Sequence, residues 1–151
     1  GTYMCAACNA QLFDSDAKKE FPESEEVLKY CTEKGYRLAA VSLVSPVANA
    51  TVKERTRQVE DSFLRKYFEI ALTTDTDKDL LFEKIIQRFG FAPHAIAVVD
   101  DRTVRGVRWG NQKGCVTIWL QKGKFANELP SSETGQPTYV IHELRELMWI
   151  L

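Results

Sequence analysis

Apolar residues occur along the chain in two patterns, short continuous runs and stretches with apolar positions three or four residues apart. The first is typical of strands buried on both faces, and the second of helices. The predicted strands are 3–8, 36–42, 67–72, 95–99, 115–120 and 139–141, and the predicted helices are 22–35, 48–64, 77–89, 104–113 and 142–151. The polar segment 9–21 is predicted to be a loop.

Strand and helix alternate with short connections along the whole chain. This order predicts an α/β fold, a three-layer, doubly wound parallel sheet joined by right-handed crossovers. We find no linker, repeat or low-complexity tract, and 151 residues suit one ordinary domain. Residues 1–151 are therefore predicted to form a single domain.

Composition and charge exclude several classes of protein. The chain is 44% hydrophobic and carries 20 Lys and Arg against 21 Asp and Glu, a formal charge of -1. Bulk electrostatics therefore give no reason to expect a nucleic-acid or anionic-membrane partner. No apolar run approaches the roughly 20 residues that span a bilayer, and no signal peptide is visible. We expect a cytoplasmic protein.

The four cysteines are too few for a disulfide scaffold in a chain of this length. Cys31 and Cys115 fall in a predicted helix and a predicted strand, where they would serve as small core residues. Cys5 and Cys8 form a C-x-x-C motif within the first strand. A redox pair or half of a zinc site is one interpretation, but redox pairs favour a helix N-terminus. The other interpretation is small residues filling a tight strand end.

Ligands of doubly wound sheets bind beyond the carboxyl ends of the strands, near the point where the strand order reverses. Candidate functional residues are therefore those that follow each predicted strand. They lie in the segments 7–11, 42–45, 73–78 and 100–102.

One of these segments carries the most specific motif in the chain. Residues 98–102 read Val-Val-Asp-Asp-Arg, and they are followed by Gly110-Asn111, Gly114, Trp119, Gly123-Lys124-Phe125, Pro137 and Tyr139-Val140-Ile141. This series resembles the fourth signature motif of the haloacid dehalogenase superfamily of phosphohydrolases, with its downstream tail. The helix at 22–35 and the strand ending in Ser42 resemble the second motif. The resemblance covers nearly the whole chain, and neither gap has room for an inserted cap domain.

The resemblance implies an Asp-x-Asp pair at the end of the first strand. In such enzymes the first Asp attacks phosphorus and ligates Mg²⁺, and the second is a general acid/base. An ungapped alignment places Ala7 and Asn9 at these two positions. Ala7 offers neither nucleophile nor metal ligand, and Asn9 cannot transfer a proton. We therefore expect a protein that has lost phosphohydrolase activity and binds a small anionic ligand or a protein partner.

The resemblance also assigns the other site residues. Ser42 and Lys78 would bind phosphate, although the spacing of the third motif puts its lysine nearer Thr76. Asp100 and Asp101 would be the metal ligands, and the further acid of the fourth motif is Gly106 here. Mg²⁺ prefers several hard oxygen ligands in octahedral geometry, so binding by these two acids alone is expected to be weak.

An alternative uses a different pair of acids. Asp14-Ser15-Asp16 is itself an Asp-x-Asp motif after an apolar pair, and it would make the chain a Mg²⁺-dependent phosphatase. Against this, residues 8–11 are a poor buried strand. Only five residues also separate Asp16 from Pro22. The other interpretation of Asp14 and Asp16 is two solvated loop carboxylates.

Two further segments bear charge near the predicted site. Arg102, Arg105, Arg108 and Lys113 recur at helical spacing and are interpreted as a solvated helix face, with an anionic ligand as the alternative. The polar loop at 122–136 either closes over the site or contacts a partner.

Overall fold

The computed structural model describes the backbone of residues 4–8, 13–14 and 19–20, and both backbone and side chains of residues 21–45 and 51–151. The strands are β1 (Met4–Cys8), β2 (Phe13–Asp14), β3 (Lys19–Glu20), β4 (Arg37–Leu43), β5 (Ile70–Thr74), β6 (Ile96–Asp100), β7 (Val116–Leu120) and β8 (Tyr139–Ile141). The helices are α1 (Pro22–Glu33), α2 (Val52–Asp61), α3 (Lys78–Phe89), α4 (Arg108–Lys113) and α5 (Leu147–Ile150).

Six of these strands form one parallel sheet in the order β5-β4-β1-β6-β7-β8. The chain starts in the middle at β1, builds outward through β4 and β5, and then crosses to β6 on the other side. The strand order therefore reverses at β1, which is where such sheets bind ligands. The predicted fold class is confirmed, and the described segments between these strands contain no inserted cap domain.

Helices cover both faces of the sheet, and β4 shows why. Leu38 and Ala40 pack in an apolar cluster with α1 and α5, whereas Ala39 and Val41 pack in a second cluster with α3 and α4. Because successive side chains of a strand point to opposite faces, a run that is apolar at every position is buried on both. No described helix is long and apolar enough to cross a membrane.

Several predicted boundaries were wrong. The helix predicted at 48–64 is the shorter α2, which begins after Thr51 in a capping box with Glu54 and is followed by a 3₁₀ turn at Phe63–Tyr67. Because of that turn, β5 begins at Ile70 instead of at the predicted residue 67. The last predicted helix is a 3₁₀ turn followed by the four-residue α5. In each case a short turn with tight hydrogen bonds mimics helical spacing.

Two other predictions need correction. The segment 9–21, predicted as a loop, contains the antiparallel pair of β2 and β3, with Asp14 opposite Lys19. Two-residue strands are too short to show a period in the sequence. The helix predicted at 104–113 begins as a π turn, Thr103–Val107, before it continues as α4.

Candidate functional site

The candidate site lies at the carboxyl end of β1. Its neighbours β4 and β6 place Ser42 and Asp100 at the same edge of the sheet, and Lys78 begins α3 directly beyond β5. Adjacent strands are about 4.8 Å apart, so Ser42 and Asp100 flank β1 at about 10 Å from each other. We call this place, bordered by Ser42, Lys78 and Asp100, the β1 mouth.

A buried ion pair forms one side of the β1 mouth. Lys78 Nζ lies 3.1 Å from Asp100 Oδ2, and both side chains are at most 2% exposed. The same Oδ2 accepts a hydrogen bond from the Gly106 amide at 2.9 Å, and Oδ1 accepts one from the Arg102 amide at 3.1 Å. The structure thus joins Lys78 and Asp100, to which the resemblance assigns phosphate binding and metal binding, and those roles stay predictions.

The two acids of this side differ in their electrostatics. Burial alone would raise the pKa of Asp100, but the Lys78 ammonium, a hydrogen bond with Asp101 and the Arg102 amide hold it below its ordinary value. Burial, the adjacent Asp100 charge and the shared hydrogen bond raise the pKa of Asp101 to about 7. Asp100 is therefore ionised at neutral pH, whereas Asp101 is close to half protonated.

Gly106 belongs to the π turn that wraps the Asp100 carboxylate. A Cβ atom at this position would lie 2.5 Å from Asp100 Oδ2 and 2.7 Å from Asp100 Cβ. Neither distance is compatible with a side chain. The residue that the sequence resemblance expects to be an acid is therefore a glycine for a steric reason, and its amide supports Asp100 instead.

The described residues do not fit a Mg²⁺ ion. Across 21–45 and 51–151 there is no group of three or more His, Cys, Asp or Glu side chains that could hold a metal. Asp100 is almost completely buried and already accepts from three donors, which leaves its oxygens little capacity for a metal ion. Mg²⁺ requires more ionised oxygen ligands than this. The expected weak Mg²⁺ binding stays a prediction.

The structure locates part of the first motif. Ala7 lies in β1 opposite Ala40 and Val99, and Asp14 lies in β2. Their side chains, and the whole of Asn9 and Asp16, fall outside the described residues. The same holds for the side chains of Cys5 and Cys8, although both cysteines lie within β1 as predicted. The assignments of Ala7 and Asn9, and of the alternative Asp14 and Asp16, stay predictions.

Arg55, which was not among the predicted site residues, lies beside Ser42 on the other side of the β1 mouth. Ser42 is 2% exposed, and its hydroxyl oxygen lies 3.5 Å from Arg55 Nη1. Arg55 Nε is buried and has no hydrogen-bond partner in the described part of the chain. The sequence carries part of the signal, because Thr51 and Glu54 fix the start of α2 and the spacing puts Arg55 and Val59 on one helix face. That this face turns inward follows only from the packing of α2.

The basic stretch near the site is mostly paired within the protein. Arg102 Nε lies 2.9 Å from Glu128 Oε2, Arg108 Nη2 lies 2.8 Å from Asp79 Oδ2, and Lys113 Nζ lies 2.6 Å from Glu83 Oε1. Three cations of this stretch thus pair with acids of neighbouring elements while staying partly exposed, and its interpretation as a solvated helix face stays a prediction.

The polar loop after β7 is fastened to the turn after β6. Glu128 accepts hydrogen bonds from the Arg102 side chain, the Thr103 hydroxyl and the Val104 amide. The Arg102 guanidinium also lies 3.9 Å from the centre of the Phe125 ring. The loop is thus packed beside the β1 mouth, at the turn that carries Gly106.

Part of the chain matches a known family of proteins. Residues 78–147 match a family model described as HAD-hydrolase-like. The chain is 23% identical over 134 residues to a glyceraldehyde 3-phosphate phosphatase of Methanopyrus kandleri, covering 86% of this chain and 55% of that protein. The chain thus spans about half the length of the curated relatives it matches.

Solved structures show the same fold. D,D-heptose 1,7-bisphosphate phosphatase from Burkholderia thailandensis superposes with a TM-score of 0.74 at 18% identity, covering 99% of this chain and 97% of that one. A putative HAD-hydrolase from Bacillus subtilis, bound to magnesium, superposes with a TM-score of 0.69 at 17% identity, covering 91% and 58%.

Proposed function

We propose that this chain is a member of the haloacid dehalogenase superfamily that binds a small phosphate-bearing molecule at the β1 mouth without hydrolysing it. The observation that carries the proposal is the buried Lys78–Asp100 pair at the carboxyl edge of the sheet, in a chain whose first strand has Ala7 near its end. A buried lysine needs a structural or ligand-binding reason, because its desolvation is costly.

The lack of hydrolysis follows from the residues available to attack phosphorus. Removing the nucleophile of an enzyme that works through a covalent intermediate lowers its rate by orders of magnitude. Among the described acids of the β1 mouth, Asp100 is locked by three donors and Asp101 is partly protonated. Neither is a replacement for a carboxylate at position 7.

The chemical class of the ligand rests on the relatives and on the charges at the site. A related protein acts on glyceraldehyde 3-phosphate, and a structural neighbour acts on a heptose bisphosphate. Both names describe small phosphate esters. A formal net charge of -1 for this chain also gives no broad attraction to a polyanion, so we propose a small anion rather than a nucleic acid or a membrane surface.

Two assays on purified protein test the proposal. Isothermal titration with inorganic phosphate measures binding, and turnover of p-nitrophenyl phosphate with Mg²⁺ measures hydrolysis. We expect phosphate binding without turnover in the wild type. The variant Ala7→Asp supplies a carboxylate at the proposed nucleophile position and should gain turnover. Ala7→Asn has nearly the same size without a nucleophile and is the matched control.

Other outcomes overturn the proposal in different ways. A wild type that turns over and loses this activity in Asp14→Asn would establish the alternative phosphatase that uses Asp14 and Asp16. A folded wild type that neither binds phosphate nor turns over would reject a small phosphate ligand and leave the protein-partner hypothesis.

A further inference from the structure

We propose that Arg55 is the anion-binding cation of the β1 mouth and that its guanidinium binds two oxygens of one phosphate group. This inference rests on the proposed function and adds to it the residue that supplies the positive charge. Arg55 lies on α2, which packs beside β5, and it reaches the hydroxyl of Ser42 at the end of β4.

The charges at the β1 mouth support this role of Arg55. The ammonium of Lys78 is compensated by Asp100 in a fully buried pair, so the two together carry no net charge. Arg55 forms no ion pair with any residue in the described part of the chain. Among the described residues, Arg55 is therefore the cation at the β1 mouth that a dianionic phosphate ester would meet without an acid already paired to it.

The hydrogen-bond donors of the Arg55 guanidinium also support this role. The nitrogen Nε of Arg55 is buried without a partner, and Nη1 reaches Ser42 only at 3.5 Å, the outer limit of a hydrogen bond. Leaving a buried charged donor unsatisfied destabilises a fold, so such a donor is expected to find an acceptor in the working protein. The guanidinium fork matches the spacing of two phosphate oxygens.

The position of Arg55 on α2 places its side chain on the inner face of the helix. Arg55 lies one helical turn before Val59, whose side chain is 4% exposed, so the two share the inner face of α2. Arg57, two residues further along, is exposed on the opposite face. The same helix thus provides a cation directed toward Ser42 and a second one directed away from it.

The test compares Arg55→Gln, Arg55→Lys and the matched control Arg57→Gln by isothermal titration with inorganic phosphate. Loss of a charge-assisted pair of hydrogen bonds corresponds to roughly a 10- to 100-fold weaker Kd in Arg55→Gln. Arg57→Gln should bind like the wild type. Arg55→Lys keeps the charge but not the fork, so it should remain weakened. Because Nε has no partner, Arg55→Gln should not lower the midpoint of urea unfolding.

The outcomes separate this inference from the proposed function. If the wild type binds phosphate and Arg55→Gln binds equally well, the role of Arg55 is wrong while phosphate binding stands. An unfolding midpoint that falls with unchanged binding would make Arg55 a structural residue. If Arg55→Lys matches the wild type, the two-oxygen geometry is wrong. If the folded wild type binds no phosphate, the proposed function fails and this inference fails with it.

Discussion

Asp100 accepts hydrogen bonds from Lys78, Arg102 and Gly106, which belong to two separate parts of the chain. Such a buried carboxylate depends on its cation, since burial removes it from solvent. At the scale of single residues the site is therefore a set of coupled groups, and each of the following substitutions removes one of them.

Replacing Lys78 by methionine leaves the Asp100 carboxylate buried and unpaired. We expect Lys78→Met to lower the free energy of unfolding by about 3–5 kcal/mol at neutral pH, measured by urea denaturation. The double variant Lys78→Met with Asp100→Asn removes both charges and should recover part of the loss. A double variant as unstable as the sum of the two single variants would contradict a coupled pair.

Asp101 gives the protein a pH dependence of defined sign. Its pKa is raised to about 7, against about 3.9 in an unfolded chain, so the folded protein binds more protons between these values. The free energy of unfolding from this group is therefore greatest below about pH 4 and falls as the pH rises toward 7. Urea denaturation at pH 5, 6, 7 and 8 measures the slope.

Asp101→Asn cannot titrate, so it should flatten that slope. Asp75→Asn, a change at an exposed aspartate after β5, should keep the wild-type slope and serves as the control. An unchanged slope in Asp101→Asn would show that another group causes the pH dependence.

Gly106 has no room for a methyl group. Gly106→Ala would press a Cβ against the Asp100 carboxylate, and overpacking of this kind costs about 1–3 kcal/mol of the free energy of unfolding. Val104→Ala is the control, because it changes an exposed side chain in the same π turn. Equal midpoints for both variants in urea denaturation would show that the turn can relax.

At the scale of elements, one side chain of the loop after β7 makes most of the loop's hydrogen bonds to the turn after β6. Glu128 joins the loop to that turn through the Arg102 side chain, the Thr103 hydroxyl and the Val104 amide. Glu128→Ala should therefore increase local opening and speed amide hydrogen exchange in 121–138 by about ten-fold, with Val104 affected as well. Glu133→Ala, an exposed change in the same loop, should leave exchange unchanged. Faster exchange in both variants would contradict a specific role for Glu128.

The elements also show where sequence patterns lose information. The start of α2 is encoded in the Thr51 and Glu54 capping box, yet nothing in a polar helix indicates which of its cations turns inward. Arg55 becomes visible only when the packing of α2 beside β5 is known. Short turns that imitate helical spacing caused the misplaced ends of α2 and α5.

At the scale of the whole molecule, the described side chains include one buried thiol on each face of the sheet. Cys31 packs with α1 and α5, and Cys115 packs with α3 and α4. Burial raises the pKa of each thiol to about 11, so both are protonated and enclosed in the folded protein. The prediction that they are small core residues is confirmed.

These thiols test whether the molecule unfolds as one unit. In a variant with Cys5→Ala and Cys8→Ala, labelling by a disulfide reagent at pH 8 should modify both thiols at one common rate that follows global unfolding. Mass spectrometry of the labelled peptides separates the two sites, and labelling in denaturing urea gives the unprotected rate. Labelling of Cys115 well ahead of Cys31 would show that the α3 and α4 face opens independently.

The parallel sheet could be predicted because its buried strands are short continuous apolar runs. Such runs can be recognised in a sequence without any knowledge of the contacts that the strands make. The segments that contain Ser42, Lys78 and Asp100 could be found for the same reason, since each follows or ends a strand. The family resemblance then singled out the three residues within these segments. Lys78, rather than the exposed Thr76, is the residue that reaches Asp100. The Gly106 amide bond and the role of Glu128 depend on a π turn and a distant loop, and no period of the sequence encodes these.

The contact between Gly106 and Asp100 also fixes the order in which substitutions can accumulate in this chain. An aspartate at position 106 would bring a Cβ to 2.5 Å from the Asp100 carboxylate, so it cannot arise first without distorting the turn. A change that shifts the π turn or shortens residue 100 has to come before it. Introducing a second acid into this turn therefore needs two substitutions, and the one at Gly106 has to be the later of them.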